Sequence, residues 1–276
     1  MRRALALAIG LALAACTNTP SGSTSRVYPP TGAVSASADQ TTDGLFDVGG
    51  HRLYMECEGD GSPTIVFLHG AFGGTSRDWS ATLAHLSGVA TCNYDRLNVG
   101  ASDRDHGRHT VTDSVADLEL LLDVAGVDPP YLLVAHSFGG MIALMYAAEH
   151  PEEVSGILLV DATLPLEADL DPPELVDQIK VELDDNPEHV DFYDAFAQVG
   201  AVLDRLPAVP ITYMFGTLQD PVPDWEPGAY EKALHEFIDG LPHGRLVEEQ
   251  SGHAMPIEIP DEIAVLTRKM LEAIGT

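Results

Sequence analysis

The sequence predicts an α/β domain, a mostly parallel eight-stranded sheet flanked by helices. Three observations predict it. From residue 45 onward, short apolar runs alternate with helical stretches, the order expected of strands joined by crossover helices. The middles of the runs are continuously apolar, as in Ile65-Val66-Phe67-Leu68 and Ile157-Leu158-Leu159-Val160, which suits strands covered on both faces. A chain of 276 residues with 45% hydrophobic side chains can also fill one large core of this kind.

Residues 1–15 stand apart. Met1-Arg2-Arg3 is a positive start, and the apolar stretch that follows, up to Ala15, is too short to span a bilayer as a stable helix, so it reads as a signal peptide. It ends Leu13-Ala14-Ala15-Cys16, which resembles the lipobox of bacterial lipoproteins and marks Cys16 for lipidation. Residues 16–42 are rich in Thr, Ser, Ala, Gly and Pro without hydrophobic periodicity, the composition of a flexible tether. The expectation is an extracytoplasmic protein, anchored to a bacterial membrane through its lipid alone and secreted if the lipobox is not used.

The domain then occupies residues 43–276. Strands are expected over 45–48, 53–58, 64–68, 89–94, 131–135, 156–160, 211–215 and 245–249. Helices are expected over 78–86, 112–125, 138–150, 230–238 and 261–274. Thr112, Asp113 or Ser114 can cap the second helix, with Gly126 beyond its end, and Asp261 and Glu262 place negative charge at the start of the last. The alternation breaks over residues 163–207, an acidic, proline-punctuated and partly helical insertion that reads as a lid.

Charge narrows the partners. Fourteen Lys and Arg against 43 Asp and Glu give a formal net charge of −29, which repels phosphate backbones and anionic membranes. Nucleic acid is excluded, and solubility is the plainer meaning of the acidity. No P-loop, dinucleotide fingerprint or zinc-ligand spacing occurs, so no cofactor and no metal are expected. A monomer acting on a small molecule fits these features. Cys57 and Cys92 remain as either a disulfide, in an oxidising compartment, or two small buried hydrophobes.

The chemistry lies in Ala135-His136-Ser137-Phe138-Gly139-Gly140, which follows an apolar strand and opens a helix. Ser137 then sits at a sharp strand-to-helix turn, where small neighbours let the two backbones approach. Ala135 stands where the usual pattern has its first glycine. A serine in such a place can also simply cap a helix. His69-Gly70-Ala71-Phe72-Gly73-Gly74 follows an early strand, and Gln250-Ser251-Gly252-His253-Ala254-Met255-Pro256 follows the last one.

With these motifs in this order, the chain resembles the α/β-hydrolase superfamily from residue 45 to its C-terminus, most nearly the bacterial lipoprotein hydrolases. The resemblance implies Ser137 as nucleophile, His253 as general base, and oxyanion donors at the amides of Phe138 and Ala71, with Phe72 as an alternative to Ala71. The acid falls between serine and histidine in chain order. Asp220 is the first choice, Asp161 at the end of an earlier strand the alternative, and Asp224 the third.

Tyr94-Asp95-Arg96-Leu97-Asn98-Val99-Gly100-Ala101-Ser102-Asp103 is similar to a structural turn of the family, with Asn98 replacing a glycine. Asp95 and Arg96 are expected to pair and to bind loop backbone. The family's strand order also makes the second and fourth strands neighbours, which implies a Cys57–Cys92 disulfide.

The implied activity is carboxylic ester hydrolysis through an acyl-enzyme. A serine nucleophile excludes the aspartate chemistry of haloalkane dehalogenases and epoxide hydrolases. Aminopeptidase or amidase, thioesterase, lactonase and perhydrolase reactions stay open on this fold, with lid acids such as Glu182 or Asp191 as candidate ammonium ligands. A surface binding protein that has lost catalysis is the non-enzyme alternative.

Overall fold

A computed structural model describes residues 42–218 and 228–275. The signal peptide, Cys16, nearly all of the tether, Asp220 and Asp224 lie outside the described residues. The strands are β1 (Thr42–Asp47), β2 (Arg52–Glu58), β3 (Thr64–Leu68), β4 (Thr91–Asp95), β5 (Tyr131–His136), β6 (Val154–Val160), β7 (Ile211–Gly216) and β8 (Gly244–Glu249). They form one sheet in the order β1-β2-β4-β3-β5-β6-β7-β8. The first two pairings, β1 with β2 and β2 with β4, are antiparallel, and every later one is parallel.

The helices are α1 (Ser80–Ala84), α2 (Val111–Ala125), α3 (Gly139–Glu149), α4 (Glu167–Leu170), α5 (Val176–Asp184), α6 (Phe192–Gly200), α7 (Ala229–Asp239), α8 (Met255–Glu258) and α9 (Pro260–Ile274). Two apolar clusters divide the core. One holds α2, α3 and the lid's inner residues against one face of the sheet, and the other holds Trp79, Met255 and α9 against the opposite face. The parallel strands β3, β5, β6 and β7 carry almost no exposed side chain, as their unbroken apolar runs imply.

Helix starts differ from expectation for a local reason. The cap of α2 is Thr110, not a residue from 112 to 114: its hydroxyl accepts from the Asp113 amide, and the Asp113 carboxylate accepts from the Thr110 amide. The first helix likewise begins earlier, as a 3-10 turn over Ser76–Trp79 capped reciprocally by Thr75 and Asp78. The short α8, next to the last loop, has no counterpart in the sequence reading.

Cys57 and Cys92 face each other in the antiparallel register of β2 and β4 and are disulfide-bonded, with Cα atoms 4.1 Å apart. The lid region carries α4, α5, α6 and a 3-10 turn over Leu203–Arg205. Its inner face buries Phe192, Ala195, Phe196 and Val199 of α6 against the body. No helix among the described residues is long and apolar enough to cross a membrane.

Candidate active site

The turn between β5 and α3 is as tight as its sequence implies. Ser137 has φ +50, a left-handed conformation that a non-glycine residue adopts only when its surroundings enforce it. They do so through backbone bonds: the Ser137 amide donates to the Val160 carbonyl at 3.4 Å, and its own carbonyl accepts from Gly140 at 2.9 Å and Thr163 at 3.0 Å. A Cβ on Gly139 would lie 2.5 Å from the Leu68 carbonyl oxygen, so only glycine fits where the helix crosses β3. Ala135 is fully buried within β5, and the sheet accommodates its methyl.

His253 lies in the loop between β8 and α8. Its Nδ1 donates to Asp161 Oδ2 at 2.7 Å, and Asp161 Oδ1 accepts from the Gly216 amide at 3.1 Å. Asp161 follows the last residue of β6 with φ +41, another enforced conformation at a strand end. The structure thus brings Asp161, the alternative acid, to His253. Asp220 belongs to a segment it does not describe. With Nδ1 carrying the proton, Nε2 is left with its lone pair for a substrate-side proton.

The electrostatics agree with that role. Burial pulls the His253 pKa down, but the hydrogen bond and charge of Asp161, aided by Glu167 and Glu258, outweigh it and leave the imidazole above its ordinary value. The loop is held from two sides. Glu258 Oε2 accepts from the Gly252 amide and the Ser251 hydroxyl, each at 2.7 Å. His136 Nε2 donates to the His253 carbonyl at 2.7 Å, with the two rings 4.8 Å apart.

In the sequence His136 stands out only as the residue before Ser137. It is the brace between the elbow and the histidine loop. Burial, reinforced by the neighbouring His253 charge, pushes its pKa down to about 4, so it stays neutral and keeps a fixed donor. No sequence signal distinguishes it from a packing histidine.

The loop after β3 meets the elbow from the other side. A Cβ on Gly70 would be 3.2 Å from Ser137 Cβ, so the glycine lets this loop lie against Ser137. The Ala71 and Phe138 amides have no hydrogen-bond acceptor among the described residues. Phe138 adjoins the first turn of α3, where the helix end favours negative charge. Phe72 has φ +59 and turns its ring onto Phe192 of α6, 5.5 Å between centroids.

Two expectations about neighbouring residues are corrected. Asp95 and Arg96 do not pair, because successive residues at a strand end point to opposite faces. Asp95 accepts from the amides of Ser76 at 2.8 Å and Ala101 at 2.7 Å, whereas Arg96 binds Glu188 and the carbonyls of His69 and Gly70. The lid acids offered as ammonium ligands are engaged elsewhere: Glu182 accepts from Gln178, and Asp191 caps α6 and pairs with Arg108.

Glu167, at the start of α4, was missed. Its Oε1 accepts from the Leu164 amide at 2.9 Å, and burial pushes its pKa up to about 7, against the pull of that amide and of His253. No group of three or more His, Cys, Asp or Glu that could hold a metal occurs among the described residues.

The profile of the α/β hydrolase fold family matches residues 63–235, from the strand before the glycine-rich loop to the helix after β7. The chain belongs to the α/β hydrolase family. This hydrolase is 36% identical to the uncharacterized protein YqjL of Bacillus subtilis over 110 residues, 39% of this chain and 42% of YqjL. It is 28% identical to lipase LipV of Mycobacterium tuberculosis over 194 residues, 70% of this chain and 64% of LipV. Among solved structures it superposes on 2-hydroxy-6-oxo-6-phenylhexa-2,4-dienoate hydrolase from Rhodococcus sp. strain RHA1 with a TM-score of 0.61 at 19% identity, covering 85% of this chain and 100% of that one. The last likeness concerns the fold alone. The chain spans less than half the length of the first curated relatives it matches, at 42%, 23% and 36% of them.

Proposed function

We propose that this α/β hydrolase is a serine esterase that cleaves carboxylic esters through an acyl-enzyme. The observation that carries the reading is the Asp161–His253 hydrogen bond at 2.7 Å, in a loop braced by His136 against the elbow that presents Ser137. Ser137 Oγ attacks the ester carbonyl while His253 Nε2 takes its proton, and the carbonyl oxygen becomes an oxyanion that the Ala71 and Phe138 amides stabilise. The imidazolium, held by the Asp161 carboxylate, returns the proton to the departing alkoxide. Water then gives a proton to His253 as its oxygen attacks the acyl carbon; the Ser137 Oγ–acyl bond breaks, His253 returns that proton to Oγ, and the acid leaves with the enzyme restored.

The lipase LipV, which aligns over 70% of this chain, favours an ester over the other acyl bonds open to the fold. The N-terminal signals support a domain held outside the cytoplasm by a lipid on Cys16, and the Cys57–Cys92 bond suits that compartment. Hydrolysis of short p-nitrophenyl esters tests the activity. Turnover by the wild type and its loss in Ser137→Ala is the expected result; turnover that survives the substitution rejects the nucleophile, and inertness of the wild type favours the binding-protein alternative.

A further inference from the structure

A buried ion pair joins the lid to the loop that carries Ala71. Arg96 and Glu188 are 4% and 1% exposed. Arg96 Nε donates to Glu188 Oε2 at 2.7 Å and Nη2 to Oε1 at 3.1 Å, the planar fork-to-fork geometry in which arginine holds a carboxylate most firmly. The rest of the guanidinium faces the loop after β3. Nη1 donates to the His69 carbonyl at 2.6 Å, and Nη2 to the Gly70 carbonyl at 2.8 Å.

The Gly70 carbonyl is the consequential one. In a trans peptide the C=O and the following N–H point in opposite directions, so drawing the Gly70 oxygen toward Arg96 turns the Ala71 N–H away from it. His69 Nδ1 donates to the same oxygen at 2.7 Å and reinforces that orientation. Gly70 itself lies against Ser137. Fixing this one peptide fixes an oxyanion donor.

Glu188 in turn is fixed by the seat of the lid. Its carbonyl accepts from Asn98 Nδ2 at 3.2 Å, and the residues after it pair with the body through His109 N to His189 O at 2.9 Å and Asp191 N to His109 O at 2.8 Å. Phe192 then packs on Phe138, ring centroids 4.8 Å apart.

We infer that Glu188 is a positioning residue: by clamping Arg96 it sets the Gly70–Ala71 peptide, so that the oxyanion hole is complete only with the lid seated. This rests on the serine-hydrolase reading above. A preset donor lowers the barrier to the charged intermediate and leaves binding of the neutral ester nearly unchanged, so the effect belongs in kcat.

The test is ester kinetics on the full chain for the wild type, Glu188→Asp, and the double variant Arg96→Met with Glu188→Met, which removes both charges at similar volume and leaves no unpaired buried ion. Both variants are expected to melt cooperatively and to hold KM within about twofold, with kcat down about tenfold to a hundredfold, part of what one oxyanion donor is worth. Affinity for a trifluoromethyl ketone, which forms the tetrahedral adduct, should fall by a similar factor. A folded double variant with wild-type kcat, or with raised KM and unchanged kcat, overturns the inference. If that variant does not fold, Glu188→Asp decides alone, and unchanged kcat overturns it. A wild type without esterase turnover removes the underlying reading instead, a result distinct from an active wild type indifferent to Glu188.

Discussion

The carboxylate that meets His253 Nδ1 is Asp161, which reaches it across 2.7 Å from the end of β6. In the proposed mechanism this carboxylate is the acid, one strand earlier than the loop after β7. Because Asp161 also accepts from Gly216 at the end of β7, the two neighbouring strands jointly hold one carboxylate.

Asp161→Asn should therefore lower kcat by roughly 10³- to 10⁴-fold, the loss seen when a triad carboxylate becomes an amide that favours the wrong imidazole tautomer. Asp220→Asn should stay near wild type. Steady-state ester kinetics on both variants decide the matter, and the reverse ranking would move the acid to residue 220.

The same pair sets the pH dependence of activity. His253 is raised above 6.5, so the free base is lost on acidification and kcat/KM should rise with pH through an inflection above 6.5. Asp161→Asn removes the charge and weakens the hydrogen bond that raise it most, and its residual activity should titrate at lower pH. For stability the sign is opposite: the pair's contribution is present below 6.5 and fades as pH climbs through the folded value.

His136 acts in the other direction. Its folded pKa of about 4 lies below the 6.5 of the unfolded chain, so below pH 6.5 the unfolded state binds a proton that the folded state refuses. Stability should drop as pH falls from 6.5 toward 4, by at most on the order of 3 kcal/mol from this group. Urea unfolding at pH 7 and pH 5 measures it, and His136→Gln should shrink the difference between the two. An unchanged difference would contradict the neutral, buried imidazole.

The disulfide closes a separation of 35 residues, and loop entropy assigns such a crosslink about 4 kcal/mol. Cys57→Ser with Cys92→Ser should cost that much and lower Tm by about 10 °C in a domain of this size, with kcat retained because both residues lie away from the elbow. Thermal melts and kinetics on one preparation test both halves.

At the elbow, Gly139→Ala puts a methyl 2.5 Å from the Leu68 carbonyl oxygen, where backbone and not a pliable side chain must yield. A cost of about 1–3 kcal/mol is expected, as for overpacking a well-filled core. Activity should be lost with it, since β3 and the elbow would separate. A melt and turnover equal to wild type would contradict the tight crossing.

Much of this was legible in the sequence because it is local. The strand, turn and helix around Ser137 announce themselves through an apolar run followed by small residues, and the family's strand order implied the bond between Cys57 and Cys92. What could not be read depends on which distant segments meet. Asp161 and Asp220 satisfy the same chain order, and the coordinates bring the first to the histidine. Glu188 is 92 residues from Arg96, so nothing in either neighbourhood points to the other. His136 differs from an ordinary packing histidine only by the His253 carbonyl it reaches. The cap at Thr110 is not distinguishable in the sequence because Thr112, Asp113 and Ser114 offer the same chemistry.

The central claim, a serine made nucleophilic by His253, is tested most directly by reacting the protein with a fluorophosphonate and mapping the adduct by peptide mass spectrometry. One adduct on Ser137 is expected, absent in Ser137→Ala and strongly slowed in His253→Ala. An unlabelled wild type, an adduct on another residue, or labelling of Ser137 at full rate without His253 would contradict it.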